Sequence, residues 1–349
     1  MKEQNQLDSH DMLGKIESLP RQLQSGFSLG EEAWSSLGAL KPRALVVAGM
    51  GASAIGGDLL RLYLAKECEI PVFVFREYGL PRFIGADSLV VVSSYSGNTE
   101  EALACFGDAI DRKARVACIS SGGELLREAA RRALPFVTIP SGLPPRAGLG
   151  YSFAALLALA ARTSLCADPG KQLLECVKSL EELNGVYSEP DCGTNPAALL
   201  AADLVERIPV IYCSTDLDAV GLRWKNLFCE NSKKPAFVSF LPEANHNDMM
   251  GWEIGEIGLA AGVIVLRSPG EHPQVAQGLS LVKSIVTHRA HFCGEFWSSG
   301  SSLLSRMFSL ILLGDYASVY LALARGVDPT PIGTIDKIKT RLRQGRADQ

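Results

Sequence analysis

Residues 93–101 read SSYSGNTEE and follow the apolar run SLVVV. A strand that empties into serines, a glycine and a threonine, and then into a helical pattern, places small donors at a helix mouth. Such a mouth carries unpaired backbone N–H groups and partial positive charge, which suits a phosphate. Ser94, Ser96 and Thr99 add hydroxyl donors, and Gly97 lets the backbone come close to a ligand. An earlier glycine-rich turn, GMGASAIGG (49–57), opens from another strand and offers Ser53 on the same side of a sheet. Neither loop carries Lys or Arg. Turn-making and helix-capping explain either loop alone, with Glu100 and Glu101 suited to a first helical turn. Two such loops at two strand ends favour anion binding. A dinucleotide fingerprint fails, because the third glycine position is Ala54 and no acidic residue ends the next strand cleanly, Glu77 being nearest.

The elements that must position these loops are legible. RALVVAGMGASAIGGDLLRLYLA (43–65), DSLVVVSSYSGNTEEALACFGDAI (87–110) and ARVACISSGGELLREAARRA (114–133) each run strand, polar loop, helix. PVFVFREY (71–78) and PFVTIP (135–140) add strands, and a long helix is expected over about 147–164. Short apolar runs alternating with helices predict an α/β fold with parallel sheets covered on both faces. Ligands of such sheets sit beyond the carboxyl ends of the strands. The pattern restarts at PVIYCSTDLDAVGLRWKNLF (209–228), a weak internal repeat of the first unit without a second hydroxyl-rich loop. PAFVSFLP (235–242) and GVIVLRS (262–268) supply further strands, and residues 303–326 a long buried helix. The expected organisation is an N-terminal helical segment (1–39), a first unit (40–166), a connection rich in charge, Gly, Pro and Asn (167–197), and a second unit with C-terminal helices (198–349).

Composition narrows the function classes. The 349 residues are 47% hydrophobic and 21% charged, with a net charge of −4 that advertises no nucleic-acid face. Nine cysteines stand singly, without a CxxC pair, which predicts reduced thiols in the cytoplasm and no zinc site. The N-terminus lacks the apolar core of a signal peptide, and the most apolar runs look too short to span a bilayer.

GMGASAIGGDL and SSYSGNTEE together resemble the sugar isomerase (SIS) domain. GLPPRAGLGYSF, CENSKKPAF, LPEANHNDMMGWE and VDPTPIGTIDKIK resemble, in the same order, the bifunctional phosphoglucose/phosphomannose isomerases. The likeness spans roughly residues 40–342. It implies two SIS subdomains in a homodimer that acts on phosphosugars in carbohydrate metabolism, with no cofactor, metal, nucleic acid or membrane. It also implies that Ser53, Ser94, Ser96 and Thr99 hold the phosphate, that Glu230 is the base, that Arg146 lies beside the reacting carbons and that His246 opens the ring.

These residue types suit the chemistry. One carboxylate can carry a proton between neighbouring carbons, although spacing alone favours a surface Glu230 paired with Lys233 or Lys234, and only the family motif reverses that. A fixed arginine stabilises an enediolate oxygen, and Pro144 and Pro145 stiffen the approach to Arg146, which could otherwise be a solvated loop residue. Histidine titrates near neutrality, as ring opening demands; a metal site of His246 with Asp248 or Glu243 lacks a second histidine at ligand spacing. The remaining histidines, 10, 272, 288 and 291, show no partner pattern. Family placement favours Lys339 over Lys337 for assisting ring opening, and a threonine at position 330 for admitting either C2 epimer. A non-catalytic phosphosugar-binding SIS regulator and a single-sugar isomerase are the alternatives.

Overall fold

The run ALVVAG (β1, Ala44–Gly49) is buried along its whole length, as a central parallel strand with helices on both faces must be. The structure, a computed structural model, describes residues 7–35, 37, 40–189, 193–254 and 258–347. After two opening helices, α1 (Met12–Glu17) and α2 (Leu19–Trp34), the first unit alternates strand and helix. It comprises β1, α3 (Gly51–Leu64), β2 (Val72–Phe75), β3 (Ser88–Ser93), α4 (Glu100–Asp111), β4 (Arg115–Ser120), α5 (Gly123–Arg131) and β5 (Phe136–Thr138). Its strands pair in the order β2-β1-β3-β4-β5, and every pair is parallel.

The second sheet uses β6 (Ile208–Ser214), β7 (Phe237–Leu241), β8 (Ala261–Arg267) and β9 (Phe292–Trp297), with α9 (Asp218–Glu230) and α10 (Pro273–Thr287) between them. Its order, β7-β6-β8-β9, repeats that of the first sheet without the last strand, and it too is wholly parallel. The weak repeat in the sequence is therefore a repeat of topology. β9 escaped the reading because Gly294 and Glu295 interrupt its apolar run and because an edge strand needs less burial.

Between the sheets lie α6 (Leu149–Arg162), α7 (Gly170–Tyr187), α8 (Pro196–Leu204), α9 and α11 (Leu303–Ala324), which share one large core with α2 and α3. Two smaller clusters cover the outer faces of the sheets. The stretch read as a connection thus contains an 18-residue helix that buries Leu173, Cys176, Val177, Leu180 and Tyr187. Its charges occupy the outward face, so composition alone disguised it. The expected helix over 147–164 divides into a 3-10 turn, Pro145–Gly148, and α6.

One helix among the described residues, α11, is long and apolar enough to cross a membrane, with 94% of its apolar window packed inside the protein. The expectation that this run is too short is corrected: the helix has 22 residues. Its Asp315 receives two hydrogen bonds from Arg223 of α9, at 2.8 and 2.5 Å, and both side chains are 4% exposed. A buried charge demands such a partner. Eight described cysteines are free; Cys192 lies outside the described residues.

Candidate active site

Gly49 of β1 stands opposite Ser93 of β3 in the parallel ladder, so the two small-residue loops leave the sheet side by side. β1 and β3 flank the point where the strand order reverses, the usual ligand crevice of an open α/β sheet. A cavity of about 330 Å³ opens there. Its floor is built by residues 50–53 and by Tyr95, Ser96, Asn98 and Thr99; Arg146 and Glu230 form one wall, and Ile332, Ile335, Lys339 and Leu342 of α12 (Gly333–Ala347) and its approach form another.

The hydroxyl loop is held from behind. Ser121 donates its N–H and its Oγ to the Tyr95 carbonyl, at 3.0 and 2.7 Å, and Ser120 Oγ donates there at 3.3 Å. Gly97 has φ +67°, and a Cβ there would lie 1.8 Å from the Gly122 carbonyl oxygen. Only glycine lets the loops after β3 and β4 interlock in this way. Tyr95 N–H donates to Ser53 Oγ at 3.2 Å, which joins the two hydroxyl loops. The Tyr95 hydroxyl donates to the Pro140 carbonyl and accepts from Leu143 N–H, both at 2.9 Å, which ties this floor to the segment that carries Arg146. Thr99 is the N-cap residue of α4 but makes no side-chain capping bond. Its Oγ1 accepts from Ser94 Oγ at 3.0 Å instead.

Arg146 is no solvated loop residue, being 3% exposed. Its Nε donates to Asn231 Oδ1 at 2.5 Å, and its Nη2 donates to the carbonyls of Pro329 and Thr330 at 2.8 and 2.9 Å. Nη1 is left toward Glu230, with 3.7 Å to Oε2. Burial pulls the guanidinium below its usual range and the Glu230 carboxylate opposes this, yet arginine stays charged at any working pH. The pairing of Glu230 with a surface lysine does not occur. Lys233 Nζ goes to the main-chain carbonyls of Glu230 and Pro329, and Lys234 Nζ to those of Leu204 and Val205. The Glu230 side chain is 26% exposed and lines the cavity. Desolvation, together with the neighbouring Arg146, brings the Lys233 amine down to about 8 against the opposing pull of Asp328 and Glu230.

Ser53, Ser96, Thr99, Arg146, Glu230 and Lys339 therefore meet around one cavity. Ser94 lies beneath its floor, 2% exposed. Lys339, and not Lys337, shares the cavity-facing side of its helix with Ile335 and Leu342, as helical spacing of three and four residues requires. Thr330 stands behind Arg146: its carbonyl accepts from the guanidinium, its N–H donates to Asp328 Oδ1 at 2.8 Å, and its Oγ1 is buried without a partner. His246 is exposed, on a 3-10 turn (Glu243–His246) beyond β7, and does not line this cavity. Glu243 accepts from Asn247 at 3.0 Å, and no group of three metal-ligating side chains forms among the described residues. Sequence reasoning missed Tyr95, Asn98, Asn231 and the Pro329 carbonyl. Asn231 was within reach, because it sits inside CENSKKPAF, directly after Glu230.

Two repeated parallel sheets, with the small-residue loops of the first facing a buried arginine and a carboxylate, define an isomerase-type SIS fold. A crystal structure of a glucose-6-phosphate isomerase-like protein from Thermus thermophilus shares that fold, with a TM-score of 0.64 at 21% identity, covering 96% of this chain and 98% of the other. A family model, the bacterial phospho-glucose isomerase C-terminal SIS domain, matches residues 193–342. The bifunctional phosphoglucose/phosphomannose isomerase of Caldicellulosiruptor bescii is 38% identical over 95% of this chain and 99% of its own length. That of Aquifex aeolicus is 34% identical, covering 86% and 91%. The chain belongs to the bifunctional phosphoglucose/phosphomannose isomerase family.

Proposed function

We propose that this protein interconverts glucose 6-phosphate and mannose 6-phosphate with fructose 6-phosphate. The observation that carries the reading is the Glu230–Arg146 pair at 3.7 Å, on the wall of a cavity floored by Ser53, Ser96 and Thr99. The phosphate rests on those hydroxyls and the mouth of α4, with Ser94 setting the Thr99 hydroxyl from below. The Glu230 carboxylate removes the proton from C2 of the open-chain aldose. The carbonyl electrons collect on O1 as a cis-enediol(ate), the hydroxyl proton passes from O2 to O1, and the carbon-bound proton returns from Glu230 to C1 while the carbonyl re-forms at C2. Arg146 supplies the fixed positive charge facing the enediolate oxygen.

Ring opening falls to Lys339 and His246. The exposed position of His246, near the exposed Met250 and Ile254, supports its delivery by a second copy of the chain in a homodimer. Thr330 does not line the cavity, so its part in admitting either C2 configuration runs through the Arg146 guanidinium that its carbonyl holds. The two sheets belong to subdomains 40–166 and 198–349, and the reaction is a cytoplasmic step of glycolysis and gluconeogenesis that uses no cofactor. The test is a coupled assay from fructose 6-phosphate to each aldose phosphate, with Glu230→Gln beside the wild type. The expected result is turnover to both aldoses, lost in the variant while fructose 6-phosphate still binds. Normal turnover by Glu230→Gln refutes the base assignment. Binding without turnover by the wild type marks a phosphosugar sensor instead, and turnover to one aldose alone a single-sugar isomerase.

A further inference from the structure

Lys233 stands three residues beyond the carboxylate of the active site and does not line the cavity. Its φ is +53°, a left-handed conformation that disfavours any side chain and that helix ends usually give to glycine or asparagine. The contacts of its amine are what can offset that backbone cost. Nζ donates to the Glu230 carbonyl at 2.5 Å, which by itself would be an ordinary cap for the last turn of α9. It also donates to the Pro329 carbonyl at 3.0 Å. That oxygen is the one to which Arg146 Nη2 donates at 2.8 Å.

Two cations from different elements thus converge on one carbonyl, and the helix end that bears Glu230 is tied to the segment that aims the guanidinium. We propose that Lys233 is a positioning residue for the isomerisation, its ammonium bridging the carbonyls of Glu230 and Pro329 and so fixing the carboxylate against Arg146. This rests on the reading of Glu230 as the base and of Arg146 as the enediolate partner. The charged groups that face the ammonium are Arg146 from the 3-10 turn before α6, Glu230 from α9 and Asp328 from the segment before α12. Asp328 is itself held by the Thr330 N–H and by Ser9 Oγ, so the anchoring segment has little freedom. Because the amine is brought down to about 8, its positive charge, and with it the stronger of its bonds, is complete below that pH and is lost as pH rises through it.

The experiment measures kcat and KM for fructose 6-phosphate from about pH 6 to about pH 9.5 in the wild type, Lys233→Met, Lys233→Arg and Glu230→Gln. Misplacement of the pair by an ångström is expected to lower kcat of Lys233→Met by about 10- to 100-fold, with KM within about threefold. The wild type should lose kcat above about pH 8, and Lys233→Arg, charged throughout, should stay within about threefold of it at neutral pH and keep its rate to higher pH. A wild-type kcat and an unchanged alkaline limb in Lys233→Met would overturn the proposal. So would equal impairment of the Met and Arg variants at every pH, since that marks a purely structural cap. If Lys233→Met does not fold, coincident alkaline limbs in the wild type and Lys233→Arg overturn it just as well. Turnover by Glu230→Gln would instead sink the base assignment on which the proposal stands.

Discussion

Gly97→Ala perturbs, by one methyl group, the cavity floor proposed to hold the phosphate. At φ +67° an L side chain costs roughly 1–2 kcal/mol relative to glycine. The new Cβ would also lie 1.8 Å from the Gly122 carbonyl oxygen and 2.9 Å from Ser120 Oγ, and the first of these contacts is backbone that cannot rotate away. The loops after β3 and β4 must separate by about an ångström, a strain of the order of 1–3 kcal/mol. Together the destabilisation is about 2–5 kcal/mol, or a fall in Tm of about 3–7 °C for a chain of this length. The displaced loop carries Ser96 and Thr99, so KM for fructose 6-phosphate should rise by about tenfold or more, each decade being about 1.4 kcal/mol of binding. Gly107→Ala is the control: it lies on the same helix, α4, and its Cβ meets nothing within 4 Å. There alanine should stabilise by up to about 1 kcal/mol and leave KM alone. Thermal unfolding and steady-state kinetics on both variants decide the matter. A Gly97→Ala protein that melts with the wild type and keeps its KM would refute the claim that interlocked loops shape the phosphate site.

Three further outcomes follow from the same geometry. Arg146→Lys gives up a fork that serves Asn231, Pro329, Thr330 and Glu230 together, and kcat should fall by about 100- to 1000-fold, read in the coupled assay. Asp315→Ala leaves Arg223 charged in the core without a counter-charge, holding only the Arg146 carbonyl, and should cost about 3–5 kcal/mol in denaturant unfolding, part of which the double variant Asp315→Leu/Arg223→Leu should recover. Burial works against the Glu295 carboxylate, but Lys283 and Arg267, each at 2.6 Å, outweigh it and hold the group below its ordinary 4.5. Its contribution to stability is complete above that value and disappears as pH falls through the lower folded one, so Glu295→Gln should flatten the acid limb of the stability profile.

The sequence by itself determined every described strand but β9, their parallel pairing and the chemistry of the first loop. Apolar runs that empty into serine and glycine can only be central strands feeding helix mouths, because hydrophobic burial and backbone hydrogen bonding are local demands. It also held the repeat, since β6 and α9 copy the pattern of β1 and α3, and the family likeness supplied the names of Glu230, Arg146 and Lys339. What the tertiary structure decided was partnership. No spacing rule joins Arg146 to Pro329 and Thr330, or Arg223 to Asp315, because these contacts run across 183, 184 and 92 residues of chain. The alternative of a surface pair between Glu230 and a nearby lysine was the natural local reading. It fails because the left-handed turn at Lys233 directs the ammonium to carbonyls, leaving the carboxylate to a guanidinium from another element. α7 hid for the opposite reason: its charges face outward and its apolar side gains meaning only when a core exists to receive it. Local physics writes the elements, and the choice of which charge meets which waits on the packing of distant segments.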